Sequence, residues 1–545
     1  MRSIGTYALG AGFFFVTLAL FVQGFLPAIV PASRAREVSR AVRTDLGDIK
    51  WVRYPTSDYT ALERLGRRVY IREGCWYCHS QYVRPVTGED ARWGPVSEVG
   101  EYAWDQPHLL STRRIGPDLT RVGLKYSDDW HYAHHWNPRL LVPDSIMPSS
   151  PWLFERVRVA VHRDGEALTL ADTPALRRLF TFNRSVEIVL APSASGLTFV
   201  PPRIDGGLPL DGTPSLDTSG LKGRAPSLAA VDLVVPTREL VGLVRYLQKL
   251  GTGRGVWRDT FAPQTAAAPA PAAADGEALR QRGRIVYARR CAGCHGPDGD
   301  GNGPAATFLS PRPRDFTAGI FKFRTTPSGA LPTDDDLFRT VSHGIRWTAM
   351  PPWHEVPAAD RLAAISWIKT FSDRWKDAGE PAVALGTPPP ASPALLARGR
   401  GLYVQAKCAE CHGETGRGDG PSSAQLKDDF GQAIRPTDLA RGHFKGGAQV
   451  ADVFRTMTVG LDGTPMPSFA DSMSDEERWA ISYHVLSLSA WIDPLTGAKV
   501  ELPAEARRAL NDAGVRAARP AEAWDPATGR RARETQSRRV AGERE

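Results

Sequence analysis

The chain has 545 residues, 42% of them hydrophobic, with 68 Lys and Arg against 60 Asp and Glu for a net charge of +8. At about 100 to 200 residues per domain this is too long for one small module and predicts three or four domains. The basic excess is spread along the chain, which excludes the concentrated stripe of a nucleic-acid binder, and six cysteines are too few for a disulfide scaffold.

No charged residue occurs from Ser3 to Ser33, and Ile4 to Val22 is almost continuously apolar, with Phe13, Phe14, Phe15 and Phe21. A span needs about 20 such residues, and a cleaved leader has an apolar stretch of only about 7 to 15. Residues 1–33 are therefore predicted to be a transmembrane anchor, although the small residues at Pro31-Ala32-Ser33 leave cleavage open. Arg34, Arg36, Arg40 and Arg43 follow the span and only Arg2 precedes it, which by loop charge alone would keep the body in the cytoplasm. Long domains translocate largely regardless of such charges, and the motifs that follow call for the other side.

All six cysteines fall in three Cys-x-x-Cys-His pentads: Cys75-Trp76-Tyr77-Cys78-His79, Cys291-Ala292-Gly293-Cys294-His295 and Cys408-Ala409-Glu410-Cys411-His412. Two thiols one helical turn apart can add to the two vinyl groups of a haem, and the adjoining histidine then points its imidazole at the iron. A zinc site would gather four Cys or His ligands, and a redox Cys-x-x-Cys pair does not need the histidine. Three covalently bound haem c groups are the expected cofactors, attached through Cys75, Cys78, Cys291, Cys294, Cys408 and Cys411, with His79, His295 and His412 on the irons.

A methionine opposite the histidine raises the reduction potential and suits electron transfer, whereas an open sixth position suits chemistry on a small molecule. Of six methionines, Met147, Met350 and Met466 are each followed by proline and fall one to each pentad, so they are the predicted sixth ligands. Competing ligands are His131, His134 and His135 for the first site, His343 and His354 for the second, and Met457, Met473, His443 and His484 for the third. Gly66 with Tyr70, Gly283 with Tyr287 and Gly399 with Tyr403 precede the pentads at nearly fixed offsets, as on a helix running into each motif. In cytochromes c a proline carbonyl downstream accepts the imidazole proton and fixes the ring; Pro117, Pro313 and Pro436 are assigned that role.

The first unit is predicted over 51–255, with an insertion at about 153–235. There Val157, Val159 and Val161 alternate with Arg156, Arg158 and Ala160 before Asp164-Gly165 and a second alternation through Leu168 and Leu170, a hairpin signal. Its closing helix carries Leu240, Leu243, Val244 and Leu247 on one face, from the cap Thr237 to the stop at Gly251. An Ala/Pro linker, 262–276, leads to the second unit, 277–376, which closes on Leu362, Ile365, Ile368 and Phe371. A Pro-rich linker, 380–393, leads to the third unit, 394–492, where the capping box Ser474-x-x-Glu477 opens a helix through Trp479, Tyr483 and Leu486. Both linkers read as semi-extended spacers, and 493–545 as a flexible charged tail.

The second and third units form an internal repeat, since His295 and His412 lie 117 positions apart, as do Gly303 and Gly420. The Gly-punctuated loops 296–303 and 413–420 lack a following Gly-Lys-Ser/Thr, so they read as haem-side loops and not phosphate loops.

More specific than the pentad are Tyr70-Ile71-Arg72-Glu73-Gly74-Cys75, Cys78-His79-Ser80-Gln81, Arg84-Pro85, Gly100-Glu101-Tyr102, Gly116-Pro117-Asp118-Leu119, Arg121-Val122-Gly123, Tyr126-Ser127-Asp128, Trp130-His131, Pro143 and Ser145-Ile146-Met147-Pro148. On these residues the first unit resembles the monohaem cytochrome c subunit (subunit II) of cbb3-type haem-copper oxidases, and the later units resemble class I cytochromes c such as the dihaem subunit of those oxidases. It departs from the family at Tyr82, where Met usually follows Ser-Gln.

The resemblance implies a mainly α fold: three class I cytochrome c domains in tandem after one N-terminal transmembrane helix, with a small β-containing insertion in the first. It implies a single-pass protein of the bacterial inner membrane with its haem domains in the periplasm. Such a chain would pass electrons from a soluble cytochrome c or a cytochrome bc complex to an integral haem-copper subunit, where oxygen is reduced in aerobic respiration. The catalytic site would then lie on another chain, with no catalytic residue here. An alternative is the electron-transfer subunit of a nitric oxide reductase-like complex. A self-contained multihaem peroxidase needs a haem without a strong sixth ligand, which one Met-Pro per pentad argues against.

Overall fold

A computed structural model describes residues 4–22, 35–43, 49–86, 89–123, 125–164, 167–170, 188–189, 197–199, 216–217, 230–254, 276–309, 311–345, 347–353, 356–376, 379–431, 434–489, 524–525 and 530–531. The apolar amino-terminal helix runs Ile4–Leu20, 17 residues with none buried. At 1.5 Å per residue it rises about 26 Å, against a hydrocarbon core of about 30 Å. Among the described residues no helix is long and apolar enough to cross a membrane. The predicted linker 262–276 lies outside the described residues except Gly276, and so does most of the tail 493–545.

Glu37–Arg43 and Ile49–Pro55 form an antiparallel hairpin that the sequence analysis does not predict. The reason is Arg40, which is buried beside the fully buried Val38 with its guanidinium 4.3 Å from the ring centre of Tyr54. An inward arginine breaks the apolar alternation by which a strand is recognised. The insertion does contain strands: Phe154–Asp164 pairs antiparallel with Ala167–Leu170 and with Ala230–Pro236, and Leu197–Phe199 adds parallel to the last of these.

Each unit is built on a crossing of its opening and closing helices. In the first these are Ala61–Arg72, opened by a Thr60/Glu63 capping box, and Arg238–Lys249, capped by Thr237. In the second they are Gly276–Arg290 and Ala358–Ile368, and in the third Pro393–Gln405 and Asp475–Ser487. The capping box of the last helix is formed, Glu477 N–H donating to Ser474 Oγ and Ser474 N–H to Glu477 Oε2 at 3.0 Å. The crossings are too tight for a side chain: a Cβ on Gly66 would fall 1.8 Å from Gly242 O, on Gly283 2.0 Å from Ala363 O, and on Gly399 2.0 Å from Ala480 O. One turn beyond each glycine, Tyr70, Tyr287 and Tyr403 are buried in the three cores.

The second unit lies between the other two. On one side Ala133 and Leu141 of the first unit share a buried cluster with Ala305, Phe308, Leu309 and Ala349 of the second, and Cys294 packs against it. On the other side the fully buried Arg324 donates to Val459 O and to Asp462 Oδ1 of the third unit, both at 2.7 Å. The linker 380–393 is tied at both ends, Val383 N–H to Thr325 O at 2.8 Å and Tyr483 Oη–H to Pro389 O at 2.9 Å, so it follows the seam between these units.

Candidate haem sites

In each pentad one turn of chain brings the cysteines and histidine to a common face. His79 N–H donates to Cys75 O at 3.0 Å and His295 N–H to Cys291 O at 2.9 Å, and Cys408–His412 is helical throughout. The chain then folds back on the motif: Gly116 N–H bonds Cys78 O, while Gly303 and Gly420 N–H bond Cys294 O and Cys411 O. Tyr287 and Tyr403 hydroxyls donate to the carbonyls of Gly296 and Gly413, next after each histidine, at 2.7 and 2.8 Å. The first site differs, since Ser80 follows His79 and donates instead to the buried Asp118 at 2.6 Å.

All six cysteines are half-buried and none is paired with another in a disulfide. Burial pushes the thiols of Cys75, Cys291 and Cys294 up to about 12 and that of Cys408 to about 11, so they stand as neutral thiols. Burial also lowers all three histidines, His295 to about 4, which leaves each imidazole neutral with a lone pair for a metal. Among the described residues no three His, Cys, Asp or Glu side chains are grouped to hold a bare metal ion. This donor set, two half-buried cysteines and one neutral imidazole per turn, fits a covalently attached haem.

Two of the imidazoles are oriented by hydrogen bonds to backbone carbonyls. His79 Nδ1–H donates to Pro117 O at 2.8 Å. His295 Nδ1–H donates to Arg314 O at 2.9 Å, so the acceptor is Arg314 and not the expected Pro313. At the third site the carbonyl that favours the His412 proton belongs to Thr437 and not to Pro436, although Nδ1 lies outside hydrogen-bond geometry. In every case the carbonyl belongs to the residue before an aspartate. Asp118, Asp315 and Asp438 each accept a backbone N–H two or three residues on, from Thr120, Thr317 and Arg441. That side-chain turn presents the preceding carbonyl, so the aspartate sets the register and the proline does not.

The three Met-Pro segments share one local geometry. Met147 N–H donates to Ser145 Oγ at 3.3 Å, and Met350 and Met466 N–H donate to Thr348 and Thr464 Oγ1 at 3.2 Å. All three methionines are half-buried. Several competitors have other surroundings. Met457 is in the third core, its sulfur accepting from Ser482 Oγ at 3.8 Å, with Met473 packed beside that core. His484 is buried against Tyr403, His443 stacks on Trp347, and His343 ends the helix Asp334–His343. His354 lies outside the described residues. His131 and His135 are buried in Asp128–Trp136, where His134 stacks on Trp130 at 4.6 Å.

Residues that sequence reasoning missed organise the first site. Glu89 receives Arg84 N–H at 2.8 Å and Arg114 Nη2–H at 2.7 Å, and Arg114 also bonds Tyr82 O. These arginines hold the Glu89 carboxyl down at about 2. Tyr246 and Tyr102 hydroxyls donate to the side chain and backbone carbonyls of Gln81. No spacing rule marks such long-range partners.

Residues 20–172 match the family described as cytochrome c oxidase, mono-heme subunit/FixO. Residues 278–368 match cytochrome c oxidase, cbb3-type, subunit III, and residues 396–489 match cytochrome c. The cbb3-type cytochrome c oxidase subunit FixP of Azorhizobium caulinodans is 26% identical over 209 residues, 38% of this chain and 59% of that protein. A chain of the reducing HAO-like protein complex of Kuenenia stuttgartiensis is 44% identical with a TM-score of 0.38, covering 38% of this chain and 96% of that one. The chain thus carries, in order, a region like a cbb3 oxidase monohaem subunit and two cytochrome c domains. Such domains imply covalently bound haem c.

Proposed function

We propose that the chain is a membrane-anchored trihaem cytochrome that delivers electrons to the haem-copper subunit of a cbb3-type terminal oxidase. The observation that carries this reading is the threefold recurrence of a Cys-x-x-Cys-His turn and a methionine held by a hydroxyl two residues earlier, with the imidazole hydrogen-bonded to a backbone carbonyl at the first two sites. Haem c bound there supplies a one-electron ferric/ferrous couple, and methionine ligation suits it to transfer and not to reaction with small molecules.

The chain's residues do the rest. Cys75 and Cys78, Cys291 and Cys294, and Cys408 and Cys411 hold the three groups by thioether bonds. His79, His295 and His412, with Met147, Met350 and Met466, would supply the ligands to the three irons. Pro117 and Arg314 carbonyls keep the first two imidazoles oriented, and the Thr437 carbonyl lies beside that of His412. The apolar segment at the amino terminus anchors the chain in the inner membrane with the haem units on the periplasmic side. A soluble cytochrome c or a cytochrome bc complex is the donor. The matches to oxidase subunits II and III support the partner assignment.

Spectroelectrochemical titration of the purified protein, with and without its co-purifying membrane partner, tests this. Three six-coordinate c haems with methionine ligation, accompanied by b-type haem and copper in the complex, are expected. A c haem that is open at its sixth position and reacts with peroxide would overturn the reading in favour of an enzyme. A partner that reduces nitric oxide and not oxygen would replace the oxidase.

A further inference from the structure

The second and third units correspond residue by residue through their methionine segments. Gly344 and Gly460 both have left-handed φ, +64° and +71°. Ile345 and Leu461 N–H each donate to the methionine carbonyl at 3.0 Å, and Thr348 and Thr464 each donate to the carbonyl of that Ile or Leu at 2.7 Å. Between them, the third unit has Gly463 at φ +76°, whereas the second has Trp347 at φ +58°. A residue with a Cβ is strained there, and strain of this kind persists only where the surroundings hold it.

What holds Trp347 is the neighbouring unit. Its indole stacks on His443, ring centres 3.8 Å apart and planes 24° apart. The corresponding pair on the other side of the seam is Gly463 and Ile320, where a Cβ on the glycine would lie 3.1 Å from Ile320 Cγ2. The two repeats therefore meet through equivalent positions, Trp on His in one half and Gly against Ile in the other. The indole Nε1–H is buried with no acceptor among the described residues. The turn carries Met350 three residues on, and His443 follows Asp438, which presents the carbonyl beside His412. The stack therefore joins the methionine turn of the second site to the segment that follows the His412-side carbonyl of the third.

We propose that the Trp347–His443 contact is where the second and third haem sites exchange electrons, with Trp347 as a positioning residue that locks the Met350 turn to the segment after Asp438. This rests on the reading of three haem-bearing units. In the exchange one electron leaves one site, which is oxidised, and enters the other, which is reduced; no bond forms or breaks and no proton moves. The electron comes from a one-electron donor outside the chain.

The test uses the full-length holoprotein with Trp347→Gly, which installs the residue the repeat itself uses and relieves the backbone. His443→Ile, the residue at the corresponding position, is the second variant. After sub-stoichiometric photoreduction, redistribution of electrons between haems is followed by absorbance, beside haem content and methionine–iron absorption. Both variants are expected to keep haem content and methionine ligation and to lose the fast phase of redistribution between the second and third haems. A fast phase at the wild-type rate in either variant that keeps its haems overturns this inference alone. A wild-type holoprotein that shows no redistribution overturns the electron-transfer reading, and the inference with it.

Discussion

Gly116 lies against the imidazole of His79, so close that a Cβ built on it would fall 2.2 Å from the ring Cε1. The same residue bonds its N–H to Cys78 O and precedes Pro117, whose carbonyl orients that ring. Gly116→Ala must therefore push the imidazole or the loop aside. Overpacking of this kind costs about 1 to 3 kcal/mol. A lower thermal midpoint is expected together with a shifted absorption and potential of one haem, the other two keeping theirs. Three unchanged haem potentials in a folded Gly116→Ala protein would show that the ring is not held as described.

The proposed methionine ligands are separable from the core methionines by single substitutions. Met466→Leu is expected to remove one of three methionine–iron signals and lower one midpoint potential, because loss of the thioether removes what raises it. Met457→Leu changes only packing in the third core, where Met457 is 4% exposed. A near-isosteric swap there should cost less than about 1.5 kcal/mol and leave all three signals. Near-infrared magnetic circular dichroism reads both. The reverse result, a signal lost with Met457 and kept without Met466, would exchange the two assignments.

How much of this was legible in the sequence follows from the range of the interactions involved. The pentads, the Met-Pro pairs and the caps at Thr237 and Ser474 are local, so spacing alone finds them. The carbonyl behind His295 was misassigned to Pro313 because proline is the visible marker, whereas Asp315 sets the turn and Arg314 is what it presents. The hairpin Glu37–Arg43 with Ile49–Pro55 was hidden by an inward Arg40. The Trp347–His443 stack joins two units, and nothing in either segment read alone indicates its partner.

His484 sets an acid limit on the third unit. It is 7% exposed, and burial lowers it to about 4. The folded state thus refuses a proton that the unfolded chain accepts near 6.5. Its contribution is full above about 6.5 and is lost as pH falls from there toward about 4, on the order of 3 kcal/mol in all. Denaturation midpoints measured from pH 8 to 4 should fall more steeply for the wild type than for His484→Phe. Parallel curves would show that His484 is protonated or exposed in the folded protein.

The seam between the second and third units depends on a buried cation. Arg324 is fully buried and reaches Asp462 Oδ1 at 2.7 Å, while Ser328 Oγ–H and Gly329 N–H converge on the same carboxylate at 3.0 and 2.8 Å. Removing one partner of a buried pair costs about 3 to 5 kcal/mol, since the other charge is left uncompensated. Asp462 is 16% exposed, so the lower end applies, about 3 kcal/mol for Asp462→Asn. Because the linker 380–393 follows this seam, loosening it should expose Val383 to Pro389 to protease. Limited proteolysis of Asp462→Asn is expected to cut there faster than in the wild type, with the second and third units unfolding in separate thermal transitions. Equal cutting and a single transition would mean that the apolar contacts of Ile320 and the Trp347 stack hold the seam without the ion pair.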